Sequence, residues 1–440
     1  MLFTVIAFTI LLFYGALEQG AVTVRDGMVV SGGIGLLVAG YLTFSRRSGF
    51  LAGSKTTNYL VAWIFAIAVV QLVPLPLSFL RITSPSRAEI ASALDPRAWA
   101  PFTIVPAQSL IWTLRLASCL LVLLLARDLT RRLNWTWLLV IPVLVVAGAE
   151  AVLGVAQFFL SEPGTVARGT YVDRDHFSGL LELAIPIAVV MGIAVYRKGR
   201  KQFETPAATA IAACLLLGLA AVMFIAVIFS LSRMGFLSTL ASLFFVGTVA
   251  ACSLLSDKLD ARLRWLPVGL VGLVIVLVFI YLPTDQLIDR FATLGNEDVT
   301  ADTRAQIWHE SIPLLASSAW VGSGISSYES AFLRFKHVAP MYSVGHAHND
   351  YIQGLAELGI LGFVPILLLT ILAVRSAWRA TSLSSDLAQH YLGIGCLGAL
   401  AAILLHSIVD FNMYIPANAL TVAWIGGIAL GLYPPAERSS

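Results

Sequence analysis

Charge is scarce in this sequence. Only 12% of its 440 residues are Asp, Glu, Lys or Arg, whereas 58% are hydrophobic and the mean hydropathy is +0.86. No soluble domain has enough interior to hide that much apolar surface, so the bilayer has to serve as solvent. Cysteine is scarce too: Cys119, Cys214, Cys252 and Cys396 fall inside apolar runs or at their ends. That placement excludes a disulfide or zinc framework and leaves them as small packing residues. The first apolar run lacks a basic flank and a small-x-small cleavage site, so it is expected to be a retained helix and not a signal peptide. The net charge of +3 gives no sign of a nucleic-acid partner.

Long apolar runs are what the sequence has in abundance. They fall at 2–17, 28–44, 59–80, 110–126, 135–160, 177–195, 207–230, 235–255, 265–283, 351–373, 389–409 and 416–433. Each is long enough to cross a hydrocarbon core about 30 Å thick. The fold class is therefore an all-α polytopic membrane protein of about 12 transmembrane helices, a single membrane domain over 1–440. Arg46, Arg47 and Lys55, then Arg127, Arg131 and Arg132, then Arg197, Lys198, Arg200 and Lys201, then Lys258, Arg262 and Arg264, and finally Arg375 and Arg379 occupy alternate connections. The positive-inside rule assigns those to the cytoplasm, along with both termini. The two longest connections, 81–109 and 284–350, then face outward, and "SPSRAEIASALDPRAWAPF" in the shorter one suits a surface helix.

The outward connections carry polar side chains. "RGTYVDRDHFSGLLE" leads into the sixth run, "LSRMGF" joins the seventh to the eighth, and "DVTADTRAQIWHESIPLL" precedes "SVGHAHNDYIQGLAELGILGF". Arg168, Arg174, Arg233 and Arg304 are candidate anion ligands, and His176, His346 and His348 candidate proton carriers. A guanidinium at Arg233 costs a few kcal/mol near hydrocarbon unless an anion or water meets it, and snorkelling to headgroup phosphates is the alternative. Arg304 sits on an expected amphipathic helix whose apolar side is Ile307, Trp308, Ile312 and Leu315, with Thr300 or Asp302 as cap; a solvated face is its bland reading. Asn349 or Asp350 suits an N-cap, and the first-turn N–H groups beyond would offer an anion positive potential. His348 can act as a general base near neutral pH, or simply satisfy a loop carbonyl. His346 and His348 do not form a known zinc spacing. Glu150, Glu182, Arg115, His406 and Asp410 lie in or at the ends of spans, where an ion-pair network and a catalytic role are equally open.

Taken together, "HNDYIQGLAELGILGF" with His348, Asn349, Glu357, Gly359 and Gly362, "SRMG" at 232–235 and "DTRAQIW" at 302–308 resemble the O-antigen ligase and Wzy-polymerase superfamily. "VGSGISSYES", "RGTYVDRDHFSGLLELAIP" and "HSIVDFNMYIP" extend that resemblance over roughly residues 145–420. It implies a GT-C-like bundle with a large helical periplasmic loop, an undecaprenyl-diphosphate-linked glycan donor, inverting transfer, and no cofactor or metal. His348 would act at the acceptor hydroxyl, with His346 in reserve, and Arg233 and Arg304 would bind the diphosphate. Asn349, Arg168, Arg174 and His176 would support them, while Glu357, Gly359 and Gly362 would serve helix packing.

The leading function is a ligase-type glycosyltransferase of the bacterial inner membrane, acting on its periplasmic face with lipid A-core oligosaccharide as acceptor. A polymerase with a lipid-linked glycan acceptor shares donor, side and residues, and transfer to a protein is a third enzyme reading. A flippase or transporter of lipid-linked sugars is the alternative from another class; it calls for ionisable groups through the depth of the bundle and an internal repeat, and no half-to-half repeat is evident.

Overall fold

The computed structural model describes the chain except for residues 46–49, 51–53, 96–98, 134, 163, 203–205, 256–300, 339–342, 385 and 433–440. The ninth apolar run, Arg46, Arg47, Lys258, Arg262, Arg264 and the Thr300 cap lie outside the described residues. So do the side chains of Cys252 and Asp302. The helices are α1 (Leu2–Leu17), α2 (Val24–Phe44), α3 (Lys55–Val70), α4 (Leu77–Thr83), α5 (Pro85–Leu94), α6 (Pro106–Arg132), α7 (Ile141–Leu160) and α8 (Arg174–Gln202). They continue with α9 (Pro206–Phe229), α10 (Arg233–Leu255), α11 (Ala301–Ser317), α12 (Tyr328–Phe332), α13 (Asp350–Leu383), α14 (Leu387–His406) and α15 (Pro416–Leu432). Eight of them are long and apolar enough to cross a membrane, and α1, α3 and α15 are shorter apolar helices. The chain is an all-α polytopic membrane protein, with one two-residue strand pairing, Leu75–Pro76 against Trp99–Ala100, among the described residues.

Local chemistry sets the helix boundaries. Thr23 caps α2 by accepting from Asp26 N at 3.1 Å, and Asp386 caps α14 by accepting from Ala388 N at 2.9 Å. α6 begins on Pro106, whose missing N–H costs nothing at a helix start. α6 and α15 pack backbone to backbone because Gly427 and Gly431 face Leu123 and Arg127 carbonyls with no room for a Cβ. Close approach of this kind replaces the hydrophobic drive that lipid cannot supply. Of the surface helix expected in "SPSRAEIASALDPRAWAPF", the structure forms only Pro85–Leu94, as α5, and Arg334 joins it to the second long connection through Glu89 at 2.9 Å.

The span expected at 351–373 runs on to Leu383 and is broken at Gly359, whose φ of +62° is open to glycine at little cost. A Cβ there would strike the Trp320 and Gly322 backbone. The polar groups freed by the break are met by the segment before α12. Ile360 N donates to Ala319 O at 2.8 Å, Leu361 N to Trp320 O at 3.0 Å, and Ser323 N to Ala356 O at 2.9 Å. Gln71 joins in, its Nε2 donating to the Val321 and Glu357 carbonyls at 2.6 and 2.7 Å while its Oε1 accepts from Ile325 N. The nine residues ahead of the break thus form a short, separately anchored half-helix. Within hydrocarbon depth such backbone groups persist only where protein satisfies them.

Replacing Gln71 with Leu removes the amide partner of the Val321 carbonyl and of Ile325 N, and leaves the Glu357 carbonyl with Gly324 N as its remaining donor. Thermal unfolding of the detergent-purified protein should show a loss of about 2 kcal/mol or more; an unchanged melting temperature would contradict the role given to this amide.

Candidate active site

Four connections converge at one end of the bundle: the head of α8, the α9–α10 turn, the half-helix of α13, and the 407–415 link between α14 and α15. Asn349 caps α13, its Oδ1 accepting from Tyr351 N at 2.9 Å and Ile352 N at 3.0 Å. Its Nδ2 donates to Ile408 O at 2.7 Å, which ties the helix head to the link. Asp350 N donates to the Ser407 and Asp410 carbonyls, and the Asp350 carboxyl accepts from Ser407 Oγ at 2.7 Å. The first-turn N–H groups expected to attract an anion are therefore occupied from within the protein. Any anion has to be bound by side chains.

Asp410 is the centre of the cluster. Its carboxylate is 3% exposed and faces His176 Nε2 at 3.6 Å, His348 Nδ1 at 3.8 Å and His406 Nε2 at 3.7 Å. Burial pushes the Asp410 carboxyl up, but the surrounding His176, His348 and His406 imidazoles prevail and hold it well below the usual carboxylate range. All three facing nitrogens and Asp410 Oδ2 are buried without a hydrogen-bond partner among the described residues. At these separations the contact is electrostatic, and it draws the Nδ1 proton of His348 toward Asp410 and leaves Nε2 as the basic nitrogen. The His348 backbone is left-handed, with φ +48°, a strain of about 1 kcal/mol that the surrounding bonds maintain. Behind Asp410 the chain of ionisable groups continues inward: His406 Nδ1 lies 3.1 Å from Glu182, and Glu182 also accepts from Ser238.

His346 is arranged differently. Its ring stacks on Phe411 with centroids 3.9 Å apart, and the His176 and His348 rings meet the same phenyl edge-on at 4.6 and 5.1 Å. Gln353 Oε1 accepts from Ala347 N at 3.0 Å, which turns Gln353 Nε2 to donate to His346 Nδ1 at 3.0 Å. His346 is thus fixed as the neutral tautomer with its proton on Nε2, and burial pushes its pKa down to about 4. Gln353 leads on to Glu357, which also accepts from Ser326 N, Tyr328 N at 3.1 Å and Tyr414 Oη at 2.8 Å. Glu357 fastens three segments together, so its packing role is more specific than the sequence alone conveys.

The arginines occupy the neighbouring corner. Arg304 Nη2 lies 4.0 Å from Asp175 Oδ2, and the Arg304 Nε is buried with no hydrogen-bond partner among the described residues. Ser232 also hydrogen-bonds Asp175, so the α9–α10 turn meets α11 at the same carboxylate. Arg233 follows at the first position of α10 with an exposed side chain. Gly235 lets α10 close on Ser178 of α8, which keeps that corner tight. Arg174 opens α8 and is half-buried. Arg168 is exposed on the preceding loop, where its backbone N donates to Gln157 Oε1 at 3.3 Å. On α11 the apolar side is Ile307, Trp308, Leu314 and Leu315, whereas the expected Ile312 is 58% exposed. At about 100° per residue, Ile312 lies about 140° around α11 from Ile307 and so falls outside the buried stripe.

Of the buried charges, His406, Glu182 and Asp410 join in a network. Glu150 instead accepts from Thr170 N and Oγ at 2.9 and 2.8 Å, and Arg115 donates to the Val22 and Thr23 carbonyls. Sequence reasoning missed Asp175 and Gln353. Asp175 stands beside His176 in "DRDHF", and Gln353 is one helical turn from Glu357, so adjacency to charged motif residues was the available signal.

Residues 218–367 match the family model described as O-antigen ligase. The match covers about a third of the chain, spans Arg233, Arg304, His346 and His348, and bears out the resemblance to the ligase and polymerase superfamily. No curated protein matches the chain.

The folded pKa of His346, about 4, lies below its unfolded value of 6.5. Its contribution to stability is therefore full above pH 6.5 and lost as pH falls toward 4. Thermal unfolding between pH 7 and 4.5 should show a shallower decline for His346→Asn than for the wild type; equal slopes would remove His346 from that account.

Proposed function

We propose that this O-antigen ligase-family chain is a ligase-type glycosyltransferase that moves a glycan from undecaprenyl diphosphate to lipid A-core oligosaccharide on the periplasmic face of the bacterial inner membrane. The observation that carries the reading is the pairing, at one end of the bundle, of a carboxylate-oriented histidine with an unsaturated guanidinium. His348 turns Nδ1 to Asp410, and the Arg304 fork has a buried Nε with no partner among the described residues.

The acceptor hydroxyl attacks the anomeric carbon from the face opposite the diphosphate. The new C–O bond forms as the bond to the diphosphate oxygen breaks, and the electron pair leaves with the diphosphate. The hydroxyl proton passes to His348 Nε2, and the imidazolium that results is stabilised by Asp410. Charge growing on the departing diphosphate is met by Arg304 and Arg233, whose planar donors suit phosphate oxygens and need no proton transfer. His176 holds Asp410 from the other side, Asn349 fixes the start of the half-helix, and Arg174 adds positive charge at the head of α8. His346, with Nδ1 occupied and its proton on Nε2, supports the site through its stack on Phe411.

Sidedness rests on charge. Lys55, Arg131, Arg132, Arg197, Arg375 and Arg379 belong to the helix ends opposite the Asp410 cluster, as the positive-inside rule requires if that cluster is periplasmic and both termini are cytoplasmic. A polyprenyl carrier presents its reactive bond at the membrane surface, which is where the histidine and the arginines converge.

Asparagine tolerates the left-handed backbone at position 348. His348→Asn should therefore fold normally and lose about 10²–10⁴-fold in glycan transfer to lipid A-core in reconstituted membranes; undiminished transfer would remove the base assignment. Arg304→Lys keeps the charge and loses the fork, and should reduce transfer at least about tenfold. In a deletion strain, the lipopolysaccharide ladder should lose every capped band while lipid-linked polymer accumulates. A cap of a single repeat would identify a polymerase instead.

A further inference from the structure

A cavity of about 300 Å³ lies between α2, α3, α6, α13, α14 and α15, and neither α8, α9, α10 nor α11 contributes to its wall. The wall is mostly apolar, with Ser31, Ser118 and Thr370 among its lining, and its charged side chains are Arg115 and Asp350, with Tyr414 and Ser407 beside them. Arg115 is only 6% exposed. Its Nη2 donates to the Val22 and Thr23 carbonyls at 3.1 and 2.7 Å, and its guanidinium carbon stands 4.6 Å over the Trp112 ring. Its Nε has no partner, and no carboxylate comes within ion-pair distance of it among the described residues. A buried guanidinium balanced only by two neutral carbonyls and an aromatic face is a binding site for an anion. Gly27 makes the arrangement possible, because any side chain there would overlap the guanidinium.

Trp112 and Tyr414 meet near Arg115 with centroids 5.3 Å apart and ring planes inclined at 47°, the residue types that mark headgroup level in a bilayer. An apolar slot beginning at an unneutralised cation and an aromatic pair is shaped for a lipid chain with a phosphate. A larger groove of about 750 Å³ between α7 and α9 has a wholly apolar wall and lacks this second feature.

We infer that the cavity holds an acyl chain of the acceptor lipid, with a lipid phosphate on Arg115. This rests on the transfer reading given above, which puts the donor diphosphate at Arg233 and Arg304. The cavity lies across a wall from that corner: Asp350 lines the cavity while its N–H bonds the Asp410 carbonyl. Attack and departure occur on opposite faces of the anomeric carbon, so two lipid-borne partners need slots on opposite sides of His348.

The test uses the purified full-length chain and diphosphoryl lipid A carrying a diazirine on one acyl chain, with cross-links mapped by mass spectrometry. Cross-links should concentrate on Leu116, Thr370 and Ala423, resist a tenfold excess of undecaprenyl diphosphate or phosphatidylglycerol, and fall about tenfold in Arg115→Gln. Gly27→Val keeps the charge, displaces the guanidinium, and should give the same loss. His348→Asn should cross-link as the wild type does while losing transfer; a wild-type chain that binds lipid A here yet transfers no glycan overturns the transfer reading and leaves the slot. Cross-links spread equally to Val152 in the α7–α9 groove, chased equally by phosphatidylglycerol, or chased by undecaprenyl diphosphate would overturn the proposal. Those outcomes identify nonspecific lipid, a structural phospholipid and the donor chain respectively.

Discussion

One buried carboxylate facing three imidazoles sets the conditions for everything around it. Asp410 sits in the link between α14 and α15 and is approached by His176, His348 and His406 from three different parts of the chain. An isolated carboxylate in that setting would carry a desolvation cost of several kcal/mol, so the imidazoles that compensate it are as necessary to the fold as to any chemistry. The same attraction fixes which nitrogen of His348 is basic. Packing and reactivity are therefore constrained by a single set of contacts.

Holding that set requires precise backbone placement, and the broken α13 provides it. The half-helix ahead of Gly359 is tied at its head by Asn349 and at its foot by Gln71 and the 319–325 segment. Glu357 then links the half-helix to the start of α12 and to Tyr414. A continuous helix would satisfy its own backbone and need none of these ties. Breaking it exposes polar groups that are met by Gln71 and by the 319–325 segment that follows the arginine helix. The break thus converts a hydrogen-bonding requirement into a positioning device.

Much of this could be read from the sequence because membrane spans and helix caps are local. Apolar length gave eight of the spans over the described residues, while the run at 59–80 is divided, with α3 ending at Val70 and α4 starting at Leu77; the Asn before an apolar run gave the cap at Asn349. The ambiguity between Asn349 and Asp350 resolved because the two residues divide the work: one caps the helix, the other bonds the α14–α15 link. What stayed hidden was long-range. Gln71 lies in an apolar run with nothing around it to suggest that it bonds residues about 250 positions away. Asp410 and His406 could be seen as buried charges, but their convergence on His348 depends on α14 ending where α13 begins. Ile312 shows the converse limit, since its apolar character groups it with a stripe that the α-helical repeat does not carry it onto.

The central claim is that Asp410 and His348 act as one unit in glycosyl transfer. A double-mutant cycle on transfer rate, with His348→Ala, Asp410→Ala and the pair, measures this directly. The account predicts strong non-additivity: once His348 is gone, removing Asp410 costs little further rate. Independent, additive losses from the two substitutions would contradict it.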